Sequence, residues 1–125
     1  MKLFVTIAEE SADAAVKAMG RVDRDHDGIE VRAERFAGFD PAMFRAATRR
    51  PVILTFRGRE AGRDVLTRAL DAGIDFVDVE YRPGVIIDHP ARTVLSHHDY
   101  EGMPNLATLV SRMMDLRCAH TKIAV

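Results

Sequence analysis

Cysteine is nearly missing from this chain: Cys118 is the only one in 125 residues. An internal disulfide framework is therefore excluded, and the composition suits a reducing compartment such as the cytoplasm. Long apolar runs are missing too, since nothing in the sequence approaches the roughly 20 residues needed to cross a bilayer as a helix. The opening Met1-Lys2-Leu3-Phe4-Val5 turns polar too early to read as a signal peptide. Neither sign of charge is in excess. A formal net charge of -1 argues against nucleic acid or an anionic membrane surface as the main partner. Lysine is scarce, with only Lys2, Lys17 and Lys122, and arginine carries the rest of the positive charge. What remains is ordinary for a soluble globular protein, with 47% apolar and 30% charged residues. The length fits one domain, residues 1–125, with a core of its own.

Taken in order, the chain alternates between short β-forming runs and helical periods. Leu3-Phe4-Val5-Thr6-Ile7 predicts a strand, and residues 9–19 predict a helix with Ala12, Ala15, Val16 and Met19 on one face. Asp25-His26-Asp27-Gly28 is a turn cluster that lacks the remaining ligand positions of a calcium loop. Gly28-Ile29-Glu30-Val31-Arg32-Ala33 alternates at period two, which sets Glu30 and Arg32 on one face and Ile29 and Val31 on the other. Asp40-Pro41 predicts the cap and first position of a short helix running towards Thr48.

Residues 51–57 predict a third strand ending at Arg57, and residues 64–70 a helix. Residues 74–80 alternate again, with Asp78 and Glu80 on one face. Val85-Ile86-Ile87 is too short to type. A strand then runs to His98, a helix opens at Pro104, and His120-Thr121-Lys122-Ile123-Ala124-Val125 reads as the last strand. Strands about 20 to 25 residues apart with intervening helices are the mark of a parallel α/β sheet.

Polar residues recur near the C-terminal ends of these strands: Thr6, Glu30 and Arg32, Arg57, Glu80, Ser96 and His98, and Lys122. That edge is where α/β folds bind ligands. If the last two strands are parallel neighbours, an imidazole and a primary amine lie side by side. A lysine desolvated in such a place becomes a Schiff-base nucleophile, and a histidine beside it is the natural base for the adjacent carbon.

The ordered series Ile29-Glu30-Val31-Arg32 with Arg35-Phe36, Leu54-Thr55-Phe56-Arg57, Val77-Asp78-Val79-Glu80, Ser96-His97-His98-Asp99-Tyr100 with Pro104, and Lys122-Ile123-Ala124-Val125 resembles the type I 3-dehydroquinate dehydratases. The resemblance runs from Leu3 to the last residue. It implies a (β/α)8 barrel with about six of the eight βα units present, a partial barrel, since the full barrel takes roughly 200 residues or more. It also implies that Lys122 condenses with the C3 ketone of 3-dehydroquinate. By the same motif His98, not His97, removes the C2 proton and helps expel the C1 hydroxyl. Glu30, Arg32, Arg57 and Thr6 match the residues that hold the substrate, and Glu60 matches the acid that orients the histidine. The partner implied is that small molecule, the assembly a homo-oligomer such as a dimer, and no metal or organic cofactor is required. Buried arginines independently suit a carboxylate bearing hydroxyls.

Other readings explain less. No pair among His26, His89, His97, His98 and His120 has zinc-ligand spacing on a shared element. Gly58 and Gly62 lack the Lys-Ser/Thr ending of a phosphate loop. Another Schiff-base aldolase would share the lysine but leave Ser96-His97-His98-Asp99-Tyr100 unexplained. A non-catalytic partial barrel, kept as an assembly or binding module, is the alternative from a different class.

Overall fold

A computed structural model describes residues 2–22, 25–58, 61–98 and 105–124. Six strands alternate with helices: β1 (Phe4–Ile7), α1 (Ala12–Met19), β2 (Gly28–Arg32), α2 (Ala42–Ala47), β3 (Val52–Thr55), α3 (Ala61–Asp71), β4 (Phe76–Glu80), β5 (Thr93–His98), α4 (Leu106–Asp115) and β6 (His120–Ala124). A short 3₁₀ helix over Pro90–Arg92 precedes β5. The strand order is the sequence order, β1-β2-β3-β4-β5-β6, and the registered pairs β1–β2, β2–β3 and β5–β6 are parallel. This is an α/β fold of the βα-barrel type with six of its strands. The chain divides into two compact units, Met1–Val77 and Asp78–Val125.

In the first unit, β2 and β3 are buried on both faces. Ile29 pairs with Val52 and Val31 with Leu54, and all four are at most 1% exposed. The helices add their own buried positions: Ala15 and Met19 of α1, Phe44 of α2, and Val65, Ala69 and Leu70 of α3. Ser11 starts α1 by accepting the Ala14 amide at 3.2 Å. Asp40 accepts the Ala42 amide at 3.0 Å, but the N-cap of α2 is Pro41, which the sequence placed one position inside the helix. Phe36, Phe39 and Phe44 form a ring cluster with centroids 5.6 to 5.9 Å apart.

Gly28 opens β2 because nothing larger fits. A Cβ there would lie 2.7 Å from the Pro51 carbonyl oxygen and inside the Phe4 ring. At the entrance to β3, Asp75 accepts the Val52 amide at 2.8 Å and pairs with Arg45. Arg45 also donates to the carbonyls of Thr48 (2.8 Å) and Arg50 (2.6 Å), tying the α2–β3 connection together.

The second unit has a small apolar core. Leu95 of β5 packs with Leu109 and Met113 of α4, joined by Tyr81, Ile87, Leu116, Cys118 and Ile123. Asn105 caps α4 by accepting the Thr108 amide at 3.2 Å. The 3₁₀ turn before β5 is tied to the start of β6 by Pro90, whose carbonyl accepts the Ala119 amide at 2.8 Å.

Several boundaries differ from the sequence reading; β4, for one, starts at Phe76 and not at residue 74. β3 stops at Thr55, so Arg57 lies in the loop beyond the strand. α3 starts at Ala61, where the glycine following it led the sequence reading to place a loop. α1 starts three residues later, at Ala12, because Ser11 takes the cap. The predicted helix opening at Pro104 is α4, Leu106–Asp115, while Pro104 itself and the motif residues Asp99 and Tyr100 lie outside the described residues.

Candidate active site

β2 supplies the polar face of the first unit. Thr6 lies opposite Glu30, and Arg32 opposite Thr55, so the four residues share the face away from Ile29 and Val31. Glu30 is only 6% exposed, and a carboxylate at that depth needs donors. Thr6 donates its hydroxyl to Oε1 at 2.9 Å, and Thr55 donates to Oε2 at 2.9 Å. Both oxygens are thus fixed from the flanking strands. Thr55 was not singled out from the sequence, although its place one strand over from Glu30 and its hydroxyl were the available signal.

Arg32 ends β2. Its Nε and Nη2 donate to a single oxygen, Oε1 of Glu34, at 3.0 and 2.5 Å. Beside this pair lies a cavity of about 190 Å³ lined by Ala8, Glu9, Arg32, Glu34 and Arg35. Arg35 in turn meets Glu10 at 2.5 Å in an exposed pair. Glu34 was also missed in the sequence, where the Arg-Ala-Glu spacing is its only trace. Arg57 is half-buried in the loop after β3, and Glu60 lies outside the described residues.

The second unit carries the histidine and the lysine. β5 and β6 are parallel neighbours, with Ser96 opposite Lys122 and His98 opposite Ala124. Ser96, His98 and Lys122 therefore share one face, while Leu95, His97 and Ile123 share the other, where Leu95 and Ile123 meet α4. His98 is half-buried. Lys122 is exposed, which differs from the desolvated lysine read from its apolar flanks. The reason is its place on β6, the last strand in the order, whose first three residues are all exposed.

Beneath them, Ser96 Oγ donates to Asp78 Oδ1 at 2.6 Å, with Ser96 fully buried and Asp78 3% exposed. Asp78 thus lies buried in the sheet with a hydroxyl donor from the neighbouring strand. Burial pushes the Cys118 thiol up. Among the described residues no group of three or more histidines, cysteines or acids could hold a metal ion, and no helix is long and apolar enough to cross a membrane.

Parallel strands in sequence order, alternating with helices, define a fold of the βα-barrel type. The family model for type I 3-dehydroquinase matches residues 3–125, and the chain belongs to that family. It is 30% identical over 122 residues to a protein of Thermococcus gammatolerans named 3-dehydroquinate dehydratase. That match takes in 85% of this chain and 56% of the relative, so the chain spans a little over half the relative's length.

Proposed function

We propose that the protein dehydrates 3-dehydroquinate to 3-dehydroshikimate through an imine on Lys122, with His98 as base and then acid. The amine of Lys122 adds to the C3 ketone and loses water. His98 takes the C2 proton, and the C2–H electron pair moves into the protonated imine to give an enamine. The enamine returns that pair to form the C1–C2 double bond while His98 protonates the departing C1 hydroxyl, which leaves as water. Hydrolysis of the imine frees Lys122 and the product. Arg32 and Arg57 suit the substrate carboxylate, Glu30 and Thr6 its hydroxyls, and Glu60 the orientation of the histidine. The enzyme is read as a cytoplasmic lyase of the shikimate pathway.

The observation that carries this reading is the β5–β6 register, which sets His98 and Lys122 on one face of paired strands. The test is sodium borohydride reduction in the presence of 3-dehydroquinate, followed by mass spectrometry. The expected result is a ligand-sized adduct on Lys122 that is lost in Lys122→Ala. The second reading is a binding module that holds the ligand without covalent chemistry. A folded protein that gives no adduct, yet binds the ligand, would establish that alternative.

A further inference from the structure

Glu30 and Glu34 sit four residues apart and are held in opposite ways. Glu30 is gripped by hydroxyls of the neighbouring strands. The hydrogen bonds of the Glu34 side chain all go to Arg32, through Oε1, and its Oε2 is buried with no hydrogen bond among the described residues. Glu34 therefore does little to fasten the sheet. It fixes the plane of one guanidinium, by two of its three nitrogens, at the wall of the cavity that both residues line.

From this geometry we infer that Glu34 is a positioning residue, which holds Arg32 ready for a ligand carboxylate. The inference rests on the reading of Arg32 as a substrate-binding residue. Arginine has many rotamers, and a ligand that had to order one would bind more weakly. The pair is also only partly exposed, with side-chain values of 31% for Arg32 and 22% for Glu34, so solvent screening is reduced. A charge-assisted fork of this kind selects one orientation among many.

Quinate, the hydroxyl counterpart of 3-dehydroquinate, separates binding from imine chemistry because it has no ketone. Its affinity for the full chain is measured by calorimetry for the wild type, Glu34→Gln, Glu34→Ala, Arg32→Ala and the Arg32→Ala/Glu34→Ala double variant. The Arg32 Nε–H resonance is followed by NMR in the variants that retain Arg32. Glu34→Ala is expected to weaken quinate binding about tenfold, with Glu34→Gln between it and the wild type. The double variant is expected to bind no more weakly than Arg32→Ala alone. The Arg32 Nε–H is expected to move and to exchange faster with solvent in Glu34→Ala, while the unfolding midpoint changes little.

Wild-type affinity in Glu34→Ala, multiplying losses in the double variant, or an unmoved Nε–H resonance would each overturn the positioning role and leave the substrate reading intact. A wild type that binds no quinate would overturn the substrate reading of Arg32, and with it this inference.

Discussion

The hydroxyl of Thr55 donates to Oε2 of Glu30 at 2.9 Å, both residues are buried, and they lie on adjacent strands. Removing that donor takes away one of the hydrogen bonds that offset the desolvation of a carboxylate in the sheet. Thr55→Val, which keeps the shape, is expected to lower stability by about 1–3 kcal/mol. Thr6 serves the other oxygen from an exposed position, where water substitutes for it. Thr6→Val is therefore expected to cost under about 1 kcal/mol. Urea midpoints decide the matter, and equal losses in the two variants would contradict the account.

Ser96 and Asp78 make the corresponding pair in the second unit, at 2.6 Å. Ser96→Ala is expected to destabilise by about 1–3 kcal/mol, because Asp78 loses a donor at a site 3% exposed. Ser96 also faces Lys122 across the strand pair. Calorimetric unfolding reads the stability loss, and an unchanged midpoint would show that the pair contributes nothing.

His98 and Lys122 divide the proposed reaction between them, so their variants part company. His98→Gln is expected to keep the borohydride-trapped adduct on Lys122 while product formation falls about 10²–10⁴-fold. Trapping and absorbance of the conjugated product are measured on the same sample. Loss of trapping in a folded His98→Gln protein would mean that the histidine acts before the imine forms.

Cys118 holds its proton more tightly in the folded chain than in the unfolded one, since burial disfavours the thiolate. Its contribution to stability is therefore complete below the unfolded thiol's value and is lost as pH rises through the higher folded value. The pH profile of iodoacetamide alkylation is expected to lie on the alkaline side of that for the urea-unfolded chain. Superimposable profiles would show that the thiol is as accessible as in the coil.

Much of this was legible in the residues themselves. The strand running to His98 was legible, because buried β-branched and aliphatic residues followed by polar ones leave little choice of type. Period two also sorted Glu30 from Val31, while His98 was told from His97 by the family motif. What could not be read was the partner each polar group takes. The grip of Arg32 on Glu34 depends on how the chain bends after β2, and the bond from Thr55 to Glu30 depends on the β2–β3 register. The exposure of Lys122 depends on strand order, which its apolar neighbours in sequence do not reveal.

The sequence-ordered sheet also bears on how the protein is made. Every strand after β1 pairs with the one synthesised just before it, and the cross-strand bonds from Thr6 and Thr55 to Glu30 span only 24 and 25 residues. Each strand therefore leaves the ribosome with its template already complete, and each addition closes a loop of nearly the same modest entropy. Assembly can keep pace with translation, one strand and one helix at a time.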